Sequence, residues 1–312
     1  MAGWSRRDVL RGGGLLAGTL LAGGALTGCA APPPRPPSPF RLATGPEGAV
    51  YREIGAALAG LLDREWGREV VEVVHTDSAP ENVALLTSGR AELAFVNVDV
   101  ALAHPEPVVA LARVFDSVLH ALVPAASPAR DARDLDGLTL ACGAPRSGTR
   151  FVTERLLEVA GVRATLRSHT QADSVRAFRA GEVDGVLSLT GMPTPAVTEL
   201  ASSGGVRLLD LTAQVEALIA RHPLEYVPVV VPATMYPPLE AAPAPAVPTL
   251  LAVSPSMDDA LAHWLTDQLF VHSDELSRVR LEAGQINPRT GAATTPVPLH
   301  PAARRWFRGH KP

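Results

Sequence analysis

Two stretches of the chain follow one plan, and that repetition limits the fold more than any other feature. Leu42-Ala43-Thr44-Gly45, followed by Gly48 and Tyr51, is matched by Leu140-Ala141-Cys142-Gly143, followed by Gly148 and Phe151. Each reads as a short apolar strand, a glycine turn and a helix start with an early aromatic. Residues 85–93 and 177–185 repeat a second unit: a helix end, a glycine stop at Gly89 or Gly181, an acid three residues on at Glu92 or Asp184, then a strand. The order is the same and the spacing similar, 44 residues from Gly45 to Gly89 and 38 from Gly143 to Gly181. Two equivalent α/β lobes are the simplest architecture with this repeat. If each lobe presents a helix N-terminus to the gap between them, an anionic ligand is held from both sides.

The chemistry of the second stretch is local. Gly143 and Gly148 permit backbone conformations closed to other residues, and Ser147 and Thr149 are favoured helix caps. Several N–H groups then converge where a helix begins, and they attract carboxylate or phosphate because they lack partners and the helix dipole is positive there. Strand, glycine turn and helix also recur in many α/β proteins, so a purely structural turn is an equal reading of this stretch alone.

Two segments precede the repeat. Ser5-Arg6-Arg7-Asp8-Val9-Leu10 and the Gly/Ala/Leu-rich core after it form a twin-arginine export pattern. The core is shorter than the ~20 apolar residues a membrane-spanning helix needs. Leu26-Thr27-Gly28-Cys29 resembles the lipobox of bacterial lipoproteins, in which cleavage leaves an acylated N-terminal cysteine. Residues 1–29 therefore read as a twin-arginine (Tat) lipoprotein signal peptide with Cys29 as the lipidation site. This places the protein outside the cytoplasm, anchored to the membrane by lipid. Cys142 then has no disulfide partner. Residues 30–39 read as a proline-rich polyproline II spacer that does not pack.

Beyond it we expect lobe I over 40–123, lobe II over 124–231, and a return to lobe I with C-terminal helices over 232–312. The Ser78-Ala79-Pro80-Glu81 capping box starts one helix, and Leu93 to Val98 reads as a buried strand with Asn97 and Asp99 at its end. Residues 108–123 are apolar and include a strand. Residues 232–248 are dominated by proline and read as the longest irregular section, with the last strand confined to 249–253.

Composition excludes some partners. The formal charge is −4, and residues 1–28 hold Arg6, Arg7 and Arg11 against Asp8, so the remainder stands at −6. That acidity, with only 4% aromatic residues, argues against nucleic acid. Nine histidines form no H-E-x-x-H or i, i+4 pair, so no metal site is expected. No G-x-S-x-G elbow surrounds Ser147, so no catalytic residue and no cofactor are expected. Cys142, inside an apolar strand, reads as inert filler.

Together these residues resemble the TAXI family, the solute-binding subunits of TRAP-type transporters. Thr44-Gly45 with Tyr51 is similar to its T-G-G-x-x-G-x-Y-Y turn, and Ser78 with Glu81-Asn82 to its S-x-x-N helix start. Residues 94–99 are similar to its strand ending in Q-x-D, Gly143 to Thr149 to G-A-P-G-S-G-T, Gly191 with Pro193 to G-x-P, and residues 298–303 to its tail. The resemblance implies an α/β, two-lobed type II periplasmic-binding-protein fold, each lobe a mixed sheet flanked by helices and joined by hinge strands. It also implies capture of a small organic acid or amino acid, glutamate-like, for delivery to a TRAP membrane subunit of fused small and large subunits. Pro46, Glu47, Arg52 and Arg146 depart from the family pattern.

The expected ligand-binding residues are Thr44, Gly45, Glu47, Tyr51, Ser78, Asn82, Asn97, Asp99, Arg146, Ser147, Gly148, Thr149 and Met192. Arg146 either forms a bidentate pair with a carboxylate or points outward as a solvated charge. Glu47 either receives an ammonium group or is an exposed loop acid, and Tyr51 either covers the ligand or packs on its own lobe. A transporter-independent receptor lipoprotein and a serine-dependent hydrolase using Ser147 are the rival readings. The Arg304-to-Arg308 segment reads as a solvated last turn, or as a contact for lipid or transporter.

Overall fold

The computed structural model describes residues 32–310. The twin-arginine segment, Cys29 and the first two residues of the proline spacer lie outside the described residues. Most of the rest of the spacer is exposed, but it touches the fold at two points: Pro36 is buried and the Pro34 carbonyl accepts the Trp66 indole N–H at 2.9 Å.

The first repeat builds β1 (Phe40–Ala43), α1 (Val50–Trp66), β2 (Val71–Val74), α2 (Ala79–Thr87) and β3 (Leu93–Asn97). β1 is the middle strand and pairs in parallel with both β2 and β3. After α3 (Val98–Ala103) comes β4 (Val109–Pro124), one strand spanning the whole apolar run. The second repeat then gives β5 (Thr139–Ala141), α4 (Gly148–Ala160), β6 (Thr165–Arg167), α5 (Gln171–Arg179) and β7 (Gly185–Thr190). Here β5 is the middle strand, parallel to β6 and β7. The internal echo is thus a structural repeat, with β2-β1-β3 answered by β6-β5-β7.

α6 (Pro195–Ser203), β8 (Val206–Leu208), α7 (Thr212–Arg221), β9 (Val227–Val231) and β10 (Ala242–Val253) follow. The sheet order is β2-β1-β3-β10-β4-β7-β5-β6, with β8 on β4 and β9 on β10. Two long strands therefore join the parallel groups. β10 pairs β9 over 242–246 and β3 over 249–252, while β4 pairs β10 over 109–118 and β7 over 118–122.

β10 corrects the expectation of an irregular section up to Pro248. Proline cannot donate to a ladder, so it survives in a strand only where no donor is needed. Pro243 turns its carbonyl to the Leu211 N–H, away from β9 and ahead of the first β4 pair at Ala246. Pro248 falls between the last pair with β9, Ala246–Val227, and the first with β3, Thr249–Asn97. Pro243 and Pro245 stand opposite Val230 and Pro228 of β9 before the β4 pairing begins, and Pro248 stands opposite Asp116 of β4 where the pairing on the other side changes from β9 to β3.

Helices cover both faces of each group. α8 (Asp259–Val271), α9 (Ser273–Val279) and α11 (Pro301–Gly309), which follows the short α10 (Pro288–Gly291), pack with α1 on one face of the first group, and α2 and α3 cover the other. In the second group α4 and α7 cover one face, α5 and α6 the other. In the C-terminal segment Arg304, Arg305 and Arg308 are exposed, while Trp306 and Phe307 are buried and the Trp306 indole donates to Asp267 at 2.8 Å. Among the described residues no helix is long and apolar enough to cross a membrane.

Candidate functional site

Because the two repeats share one topology, their helices start at equivalent places. α1 and α4 begin just after the middle strands, and α2 and α5 just after β2 and β6. Residues at all four N-termini line a single cavity of about 970 Å³, floored by parts of β3, β4 and β7. A side chain caps one N–H each on α2, α4 and α5, and the remaining first-turn N–H groups with four positive dipole ends around one space make a site for negative charge.

The turn at α4 is built as its sequence suggests. Gly143 has φ of +68°, and a Cβ there would meet Ser147 Oγ at 2.5 Å, so the close turn requires glycine. Ser147 caps the helix by accepting the Arg150 N–H at 3.1 Å. Thr149 accepts the Leu189 N–H of β7 at 3.1 Å, which ties the helix start to the strand. A Cβ on Gly148 would stand 3.3 Å from Asn97 Oδ1, so the two repeats approach each other closely here.

From the first repeat come Thr44, Gly45, Glu47, Tyr51 and Ser78, all lining the cavity, as does Asn97. Thr44 is fully buried and turns its hydroxyl to the Val74 carbonyl at 3.0 Å. Ser78 caps α2 on the Glu81 N–H, and Glu47 is exposed at the mouth. Tyr51 reaches inward to Thr249 Oγ1 at 3.3 Å, and burial pushes its phenol well above the ordinary range. Thr249 is a hub: Ser117 Oγ lies 3.0 Å away and Asn97 Nδ2 donates to it at 3.3 Å.

Four expected residues stand elsewhere. Asn82 is fully buried and structural, donating to the Thr44 and Phe95 carbonyls at 2.7 and 2.8 Å. Asp99 is drawn into α3, where it accepts the Val100 N–H at 2.8 Å and the Tyr226 hydroxyl at 3.2 Å. Burial raises its carboxyl to about 7 against the pull of Arg155. Arg146 is exposed at the tip of its turn and does not line the cavity, because the chain must fold outward between Gly143 and the Ser147 cap. Met192 is half-buried against the apolar cluster beneath α6.

Ser117 and Ser188 line the floor, and Asp77, Asp173 and His169 line the upper walls, though none stood out in the sequence. A serine inside each of the apolar runs 108–123 and 183–189 is the signal that could have marked the floor. Behind Ser188, the buried His120 bonds the Ser188 carbonyl at 3.4 Å and the Tyr236 hydroxyl at 3.1 Å, and burial lowers its imidazole to about 4. Burial raises the Cys142 thiol, which keeps it unreactive. Among the described residues no group of three or more His, Cys, Asp or Glu could hold a metal ion.

The sequence model of the NMT1-like family matches residues 42–310. Among solved structures, one described as a periplasmic transporter is 11% identical, covering 88% of this chain and 93% of its own, with a TM-score of 0.55. The periplasmic aliphatic sulphonate binding protein SsuA of Escherichia coli is 19% identical over 88% of this chain and 84% of its own, with a TM-score of 0.50. The cysteine-binding protein of Campylobacter jejuni is 13% identical over 78% and 88%, also at 0.50. These likenesses are of fold: the chain has the α/β architecture of periplasmic binding proteins.

Proposed function

The chain belongs to the NMT1-like family, and from that premise and its cleft we propose that it is an extracytoplasmic binding protein that captures a small solute and performs no chemistry on it. One observation carries the reading: four helix N-termini, two from each structural repeat, surround a single cavity of about 970 Å³. The fold neighbours named for binding an aliphatic sulphonate and cysteine support it.

The two repeats act as lobes, 40–123 and 124–231, with the remainder returning to the first, and β4 and β10 are the hinge. A solute touching both lobes favours the closed form because it gains contacts there that the open form lacks. The TAXI-like motifs support a TRAP-type membrane subunit as the receiver. The twin-arginine pattern and the Leu26-to-Cys29 lipobox support export and a lipid anchor. Against a hydrolase, Ser147 spends its hydroxyl as a helix cap, and no histidine or carboxylate bonds it among the described residues.

Two experiments test this. Mass spectrometry of small molecules released from the purified protein should find a bound solute, and that solute should raise the Tm of stripped protein. Proteoliposomes holding a TRAP membrane subunit should take up the solute only when this protein is added. A protein that releases nothing and gains no thermal stability from organic acids or amino acids ends the solute-binding reading.

A further inference from the structure

The charge on the cavity wall narrows the class of solute. Five carboxylates line the cavity, on Glu47, Glu53, Asp77, Asp173 and Glu199, and no arginine or lysine does. Three of the five are already neutralised from behind. Arg280 holds Glu53 at 3.2 Å, Arg179 holds Glu199 at 2.6 Å, and Arg176 pairs with Asp173. Glu47 and Asp77 have no ion-pair partner among the described residues. Both belong to the first repeat, in the turns that lead into α1 and α2.

The floor has the opposite character. Ser188 lines it, is 4% exposed, and its Oγ has no hydrogen-bond partner. A buried hydroxyl without a partner costs stability unless something else satisfies it. His169, the one basic side chain in the lining, also has a buried Nδ1 with no partner. Ser188 on the floor, His169 on the wall and the start of α4 offer donors to an anion, whereas the starts of α1 and α2 carry the two unpaired carboxylates of Glu47 and Asp77.

Resting on the solute-binding reading above, we propose that the solute is a zwitterion with a single anionic group. That group sits on the floor against Ser188 and the α4 N-terminus, and the cationic group lies at the mouth between Glu47 and Asp77. A second carboxylate on the solute would find no guanidinium or ammonium in the lining and would face like charge. The site selects neutral or basic amino-acid-like molecules and rejects dicarboxylates, which departs from the glutamate-like ligand that the motif resemblance implies.

The test is calorimetric titration and thermal shift of the purified, ligand-stripped protein with L-alanine, L-leucine, L-lysine and L-arginine against L-glutamate and succinate. At least one of the first four should bind, while glutamate and succinate leave the Tm unchanged. In the Glu47→Gln/Asp77→Asn double variant the affinity of the bound amino acid should fall about tenfold, the effect of losing roughly 1.4 kcal/mol. Both positions are exposed, so that variant keeps its fold. Ser188→Ala should weaken the same amino acid without changing this charge preference. Tighter binding of glutamate or succinate, or a double variant with unchanged affinity, overturns the inference and leaves solute binding standing. If no probe binds and nothing small is released from the purified protein, the solute-binding reading falls with it.

Discussion

Glu92 and Arg41 hold each other by two backbone positions: the Glu92 carboxylate accepts the Arg41 N–H at 2.6 Å, and the Glu92 N–H donates to the Arg41 carbonyl at 3.0 Å. Asp184 does the same to Thr139, at 2.8 and 2.7 Å. In each repeat the acid three residues past the glycine stop clamps the start of the middle strand as the next strand begins. Hydrogen bonds to a charged group contribute about 1.5 to 3 kcal/mol, less where water competes. Glu92→Ala should therefore lower stability by about 2 kcal/mol in urea unfolding, and the more exposed Asp184→Ala by about 1 kcal/mol. Equal, negligible losses would reduce both clamps to surface decoration.

This clamp shows what was legible in the sequence. Strand, glycine, helix and acid recur in order because local backbone geometry demands each residue type where it stands, so the repeat and the cavity-facing turns at Gly45 and Gly143 could be read directly. The two joining strands could not. β10 holds Pro243, Pro245 and Pro248, and local propensity alone argues against a strand there. Only the tertiary neighbours show that those positions need no donor. The side-chain directions of Asp99 and Arg146 are not written in the local sequence for a related reason: whether a polar side chain faces a cavity, a neighbouring element or solvent is decided by partners distant in the chain, Tyr226 in the case of Asp99.

Thr249, fully buried behind the cavity lining, joins Tyr51, Asn97 and Ser117, and its removal tests whether those three are held as one unit. Thr249→Val keeps the shape and takes away the shared oxygen, leaving buried polar groups without that partner at about 1 to 3 kcal/mol each. The expected loss is about 3 kcal/mol by urea unfolding, with weaker binding of the solute. Tyr51→Phe deletes only one spoke and should cost about 1 kcal/mol. If the two variants lose the same amount, Thr249 is not the hub.

Two buried groups should make stability depend on pH in opposite directions. Burial lowers His120 from 6.5 to about 4, so between those values the unfolded chain binds a proton that the folded chain refuses. Its contribution is present above about 6.5 and is lost as pH falls towards 4, by roughly 3 kcal/mol. Asp99 is raised from 3.8 to about 7, so in the folded chain it keeps a proton that the unfolded chain gives up. Its contribution is present below about 4 and is lost as pH rises through 7. Asp99→Asn removes that second effect alone, and the stability of the variant relative to the parent should climb between pH 4 and pH 7. Urea midpoints across that range measure it, and a constant difference would mean that Asp99 is ionised throughout.

Arg280 and Glu282 make the sharpest test of how the two repeats are held together. The Glu282 side chain is fully buried and accepts from Arg280 at 2.7 and 3.1 Å. The same guanidinium donates to Glu53 of α1 at 3.2 Å and to the Pro193 carbonyl beyond β7 at 3.3 Å, so it ties an element of the first repeat to one following the second. Gly191 is needed beside it, since a Cβ there would meet Glu282 Cγ at 2.5 Å. A buried pair gains little over an apolar pair of the same shape, but breaking it strands a charge in the interior. Arg280→Ala should cost about 3 to 5 kcal/mol, whereas Arg280→Met with Glu282→Leu should cost far less because no charge is left unpaired. Thermal unfolding of both variants separates the cases. A double variant as damaged as the single one would show that the link to Glu53 and Pro193, rather than burial of the Glu282 charge, is what Arg280 provides.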